Sequence, residues 1–161
     1  MSGDETLPPT DLGVTDRTWA ADEALATRIP ASRYTVLHEL GRGAIGVVEC
    51  THDEHLDRSV ARKRLLCDNA NDRSRFVQEA RLTASMAHPG IVPIYDIGMD
   101  DEGVPYYTMQ EVVGEPWRVA LRAATGLEQR LGQLEVLLAA ARAVAHAHER
   151  GIVHRDLKPS N

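Results

Sequence analysis

Hydrophobic and polar positions divide the chain into three regimes. Residues 1–33 are rich in Thr, Asp, Ala and Pro and show little apolar recurrence beyond a short periodic stretch around Trp19 to Ala26, so they read as a flexible leader. From Tyr34 the pattern becomes strand-like. Tyr34-Thr35-Val36-Leu37 and Val47 to Thr51 are β-forming runs, the polar tip His52-Asp53-Glu54-His55 predicts a hairpin, and the next strand contains Val60-Ala61-Arg62-Lys63. Arg73 to Met86 changes to helical spacing, with Phe76, Ala80, Thr83 and Met86 near one face, Glu79 on its flank and His88-Pro89 at its end. Two more strands are predicted over Ile91 to Gly98 and Pro105 to Val113, separated by the polar turn Asp100 to Gly103. Beyond residue 114 the helical period returns: Leu131, Leu134, Leu138, Ala141, Ala145 and His148 form an apolar stripe that runs to a stop at Gly151, and Ile152-Val153 reads as a short strand. The predicted class is therefore α+β, a five-stranded antiparallel sheet with one helix over 34–113 followed by further helices over 114–161.

Composition narrows this picture. The 161 residues are 43% hydrophobic and 26% charged, enough apolar material for one core or two small lobes. A formal net charge of -6 and an isoelectric point near 5.6 argue against a binder of nucleic-acid backbones. Cys50 and Cys67 lack a CxxC spacing and read as reduced thiols. The start MSGDETLPPT has acid and proline where a secretion signal needs a basic start and an apolar run, and no stretch approaches the ~20 apolar residues of a membrane span, so the expected location is cytoplasmic. Thr6, Thr10, Thr15 and Thr18 lie among acidic residues and are candidate phosphoacceptors, although a solvated leader without a role is the simpler reading. Cys50, His52 and His55 match no zinc spacing and read as part of a solvated turn.

The candidate chemistry sits in three places. Leu40-Gly41-Arg42-Gly43-Ala44-Ile45-Gly46-Val47-Val48 is a GxGxxGxV run, whose glycines let a backbone approach phosphate oxygens closely. Alone it fits a dinucleotide fold or a nucleotide-phosphate loop; the strand after it, where a dinucleotide fold opens a helix, favours the second. On the next strand, period-two alternation puts Ala61 and Lys63 on one side. The last eight residues, HRDLKPSN from His154 to Asn161, then gather a carboxylate, an ammonium and an amide on one loop. Those are the groups phosphoryl transfer needs: one to orient a hydroxyl and accept its proton, one beside the moving phosphoryl group, and an oxygen ligand for magnesium.

HRDLKPSN closely resembles the catalytic loop H-R-D-L-x-x-x-N of eukaryotic-like protein kinases. VARK, FVQEARLTASMAHPGIV and YYTMQEVVG resemble, in the same order, the family's strand lysine, its helix glutamate with the loop after it, and its adenine hinge. The chain is identified as a member of the Hanks-type kinases over about Tyr34 to Asn161, in the style of bacterial serine/threonine kinases. The resemblance implies a kinase small lobe over 34–113 and the start of a large lobe over 114–161, with ATP and Mg2+ as cofactors and a protein Ser/Thr hydroxyl as acceptor. It implies that Leu40 to Val48 cover the nucleotide, that Ala61 leaves room for adenine, and that Lys63 reaches the α and β phosphates and pairs with Glu79. It further implies that Met109 is the gatekeeper, that the Gln110 C=O and Val112 N–H address adenine, that Asp156 is the base with Lys158 beside it, and that Asn161 holds magnesium. Lys158-Pro159 point to serine/threonine rather than tyrosine specificity.

Three residues depart from the family pattern. Ile45 replaces an aromatic at the glycine-loop tip, Arg62 replaces an apolar strand residue and is expected to snorkel to water, and Glu49 stands where tyrosine is common. The motifs also end ahead of any D-F-G or A-P-E. The expectation is thus a partial kinase domain whose isolated chain transfers no phosphate. The alternative is a catalytically incomplete nucleotide-binding or regulatory module; a small-molecule phosphotransferase is disfavoured by Arg155 and Lys158-Pro159.

Overall fold

The computed structural model describes residues 33–66 and 69–160. The stretch around Trp19 to Ala26, the four leader threonines, Cys67 and Asn161 lie outside the described residues. Five strands, β1 (Tyr34–Arg42), β2 (Gly46–Asp53), β3 (Arg58–Leu65), β4 (Ile94–Met99) and β5 (Pro105–Met109), form one antiparallel sheet in the order β1-β2-β3-β5-β4. Among the described residues three helices accompany it: α1 (Ala70–Ala84) between β3 and β4, then α2 (Trp117–Ala123) and α3 (Leu127–His148) after β5. The α+β expectation holds. The last two strands are shorter than predicted, and Ile152-Val153 is not a strand.

Register assigns the two faces of the sheet. Val48, Lys63 and Tyr107 lie directly opposite one another across β2, β3 and β5, and so do Cys50, Ala61 and Met109. Cross-strand partners share a face, so these six point toward α1, where Leu65, Phe76, Ala80 and Tyr107 make the main core with Ile94, Ile97 and Met109 packed against it. Helix α1 starts earlier than its apolar period suggests because Asn69 caps it, accepting from the Asp72 N–H at 2.9 Å. It buries Phe76, Val77 and Ala80. Met86 lies beyond its end, and the Thr83 hydroxyl donates back to the Glu79 carbonyl at 2.9 Å.

The opposite face holds a smaller apolar cluster of Tyr34, Val60 and Tyr106, bordered by arginines. Arg62 does not snorkel: it is buried, donates to Glu49 Oε2 at 2.8 and 3.2 Å, and lies 5.5 Å from the Tyr106 ring centroid. Glu49 is its direct cross-strand partner, so two departures from the family pattern compensate each other. Arg64 bonds Asp100 and Glu102 in the β4–β5 turn. Arg33 grips Asp53 with two bonds of 2.8 and 2.7 Å and reaches Asp96 at 3.2 Å, tying the chain before β1 to the hairpin and to β4.

Arg33 holds the buried Asp53 carboxyl below its ordinary range against the opposing effect of burial. A carboxyl whose folded-state pKa is depressed adds stability that is complete above the unfolded value of about 3.9 and is lost as pH falls through the folded value. Asp53→Asn should therefore be clearly less stable than wild type at pH 7, with the gap closing below about pH 4. Urea unfolding across that range checks it; a constant gap would contradict it.

Helix α3 corrects the reading of its stripe. Leu131, Leu134 and Leu138 are about half exposed, and the buried positions are Ala143 and Ala147. The small residues face inward because another backbone comes close: a Cβ added to Gly90 would lie 3.0 Å from that of Ala143. The His88 and His146 rings meet at the same place, with centroids 5.1 Å apart. Gly151, at φ +72°, ends the helix in the left-handed region, and the Ile152 N–H returns to the Ala147 carbonyl at 2.9 Å.

Candidate active site

The glycine run forms the β1–β2 turn. The Gly43 N–H donates to the Gly46 carbonyl at 2.9 Å, and the Leu66 N–H ties Ile45 to the end of β3 at 2.8 Å. Gly46 is required by close approach, since a Cβ there would meet the Arg64 carbonyl at 2.9 Å and sit 3.5 Å from Lys63 Cε. At Gly41 a Cβ would meet nothing within 4 Å, and at Gly43 only the Gly46 carbonyl at 3.8 Å. Space above these two is what a phosphate-covering loop needs. Leu40 and Ile45 are exposed, and Arg42 pairs with Glu39 at the loop's base. Val48 faces the same side as Lys63, whereas Val47 is buried on the opposite face between Arg42 and Arg64.

Lys63 and Glu79 come together from β3 and α1, with Nζ to Oε1 at 2.7 Å. The lysine ammonium also lies 5.8 Å from the Phe76 ring centroid and 5.5 Å from that of Tyr107. Sequence reasoning left Tyr107 without a role; its hydroxyl donates to the same Glu79 oxygen at 3.0 Å. Ala61 and Met109 are direct partners across β3 and β5, so the two positions assigned to the adenine side are neighbours. The Gln110 N–H is held by the Pro93 carbonyl at 3.1 Å, and Val112 is exposed on the segment that leaves the sheet. Cys50 shares the row of Ala61; burial, then the nearby Glu111 carboxylate, push its thiol up, away from nucleophilic use.

The HRDLKPSN loop is built on one strained residue. Arg155 has φ +62°, and the Asp156 N–H closes a γ-turn around it to the His154 carbonyl at 2.9 Å. Lys158 Nζ then donates to both Asp156 oxygens, at 3.0 and 2.8 Å, and the Pro159 carbonyl accepts from the Arg118 N–H at the start of α2, at 2.7 Å. Asp156 and Lys158 are thus held as one exposed acid–cation pair.

Residues 34–161 match the family described as protein kinase domain. The chain belongs to the protein kinases. This kinase chain is 32% identical over 155 residues to the serine/threonine-protein kinase PknD of Protochlamydia amoebophila, covering 87% of this chain and 16% of that protein. It is 41% identical over 138 residues to the DNA damage-responsive serine/threonine-protein kinase RqkA of Deinococcus radiodurans, covering 81% of this chain and 20% of that one. Among solved structures it is similar to the PknI kinase domain of Mycobacterium tuberculosis (C20A mutant), with TM-score 0.64, 30% identity, and coverage of 81% of this chain and 54% of that one. The sheet with α1 corresponds to the kinase small lobe and the later helices to the start of the large lobe. The kinase chain spans less than a quarter of the length of these two relatives. No helix among the described residues is long and apolar enough to cross a membrane.

Proposed function

We propose that the protein is an ATP-dependent serine/threonine kinase and that this chain supplies its nucleotide cradle and catalytic loop. The observation that carries the reading is the 2.7 Å contact of Lys63 with Glu79 beside a hairpin whose glycines leave room for phosphate. In this reading the glycine loop from Leu40 to Val48 covers the triphosphate, Lys63 neutralises its α and β groups, and Glu79 aims Lys63. Adenine lies against Ala61 and Met109 with its edge on the Gln110 C=O and Val112 N–H. Asp156 orients the acceptor hydroxyl and takes its proton, and Lys158 balances charge on the moving phosphoryl group. Magnesium, when bound, neutralises phosphate charge. It needs only one or two protein oxygens alongside the phosphates, and Asn161 is proposed as one of them. Residues 34–113 and 114–161 act as the two sides of the cleft. A cytoplasmic setting fits the ATP requirement and the unbridged Cys50 thiol.

The acceptor is proposed to be a serine or threonine of a protein, on the strength of Lys158-Pro159 and of the relatives' names. The whole protein, incubated with labelled ATP and a mixed protein substrate, should yield phosphoserine and phosphothreonine on acid hydrolysis. Phosphotyrosine as the main product would contradict the assignment. A binding module without transfer is the second reading; the presence of Asp156 and Lys158 as a held pair disfavours it, since binding alone has no use for them.

A further inference from the structure

The Lys63–Glu79 pair has a third partner that the family motifs do not supply. Lys63 and Tyr107 are direct cross-strand partners, and Glu79 Oε1 accepts from both, at 2.7 Å from Lys63 Nζ and 3.0 Å from Tyr107 Oη. The pair alone is a weak tether, because the Glu79 side chain is 53% exposed and the Lys63 side chain 25%, and ion pairs that wet hold little. Tyr107 differs in being only 5% exposed. Its ring packs on Phe76 with centroids 4.9 Å apart, so α1 and β5 already share an apolar contact at this point. A buried phenol needs an acceptor, and an outward rotation of α1 would take away the one it uses. Burial and the Glu79 charge also raise the phenol's ionisation above its ordinary range, keeping it a donor.

We propose that Tyr107 is a positioning residue: its hydroxyl latches Glu79, and through it α1 and Lys63, in the nucleotide-ready arrangement before any nucleotide arrives. The claim rests on reading Lys63 as the phosphate-binding lysine. Its physical content is that the orientation of α1 is fixed from the sheet side by a neutral donor, which salt does not screen.

Hydrogen exchange of α1 in the nucleotide-free protein tests it, with wild type, Tyr107→Phe, Glu79→Ala and the double variant compared. Phenylalanine keeps the ring against Phe76 and removes only the oxygen. Tyr107→Phe should raise exchange over residues 76–83 about tenfold in the wild-type background and by nothing further in Glu79→Ala. Its effect on Mg-ATP affinity, a weakening of about threefold, should vanish in the same background. Equal increments in both backgrounds would reduce Tyr107 to packing and overturn the proposal, as would unchanged exchange in Tyr107→Phe. Failure of the wild type to bind Mg-ATP would instead contradict the kinase reading, and the exchange result would still decide whether Tyr107 latches the helix.

Discussion

Asp156→Asn should lower phosphoryl transfer by the whole protein by roughly 10² or more and leave Mg-ATP affinity nearly unchanged. The γ-turn at Arg155 projects Asp156 from the loop, and Lys158 holds both of its oxygens. Asparagine retains the shape and one acceptor oxygen, so the loop keeps its path. What it loses, on the proposed reading of Asp156 as the base, is the ability to accept a proton from the substrate hydroxyl, a function realised only as the reaction proceeds. An effect confined to the chemical step appears in transfer and not in ground-state binding. Initial rates with labelled ATP, set beside equilibrium affinities of the same preparations, separate the two. Parallel losses in rate and affinity would place Asp156 among the binding groups instead.

How far the sequence could foresee this arrangement depended on the kind of regularity involved. Period-two alternation was enough to put Ala61 and Lys63 on one side of β3, because the side-chain direction in a strand is a local property. It could not say which residues of β5 would meet them. That required the register, which pairs Ala61 with Met109 and Lys63 with Tyr107. Tyr107 went without a role for this reason: its hydroxyl finds Glu79 only after a strand far along the chain has been placed beside β3. Arg62 and Glu49 make the same point from the other face. Each taken singly looked like a misfit, and cross-strand pairing turned them into a partly buried ion pair.

Helical periodicity had a different limit. In α1 it found Phe76 and Ala80 but placed the face too far toward the C-terminus, since the Asn69 cap starts the helix at Ala70 and the helix ends at Ala84. In α3 the leucine stripe was real in sequence yet stands half exposed among the described residues, while Ala143 and Ala147 are buried. Periodicity reports which residues share a face and is silent about what lies against it. Close approach of the Gly90 backbone selects small side chains, a signal that no hydropathy pattern carries. Gly46 is the converse case: its place in the glycine motif was legible, and its reason, the Arg64 carbonyl, emerges only from the fold.

Lys63 carries the central claim, that the sheet face beside the glycine hairpin is a nucleotide site. Its ammonium is already held by Glu79 and flanked by the Phe76 and Tyr107 rings, so little side-chain freedom remains to be lost when phosphate binds. Charge-assisted bonds to phosphate are among the stronger polar contacts, and removing one that is preorganised should weaken binding by about tenfold to a hundredfold. Methionine at position 63 keeps an unbranched apolar stem against the rings and deletes only the charge. The direct measurement is calorimetric titration of the protein and of Lys63→Met with ATP in the presence of magnesium. The account predicts saturable binding by the wild type and at least a tenfold loss in the variant; equal affinities, or no binding by the wild type, would contradict it.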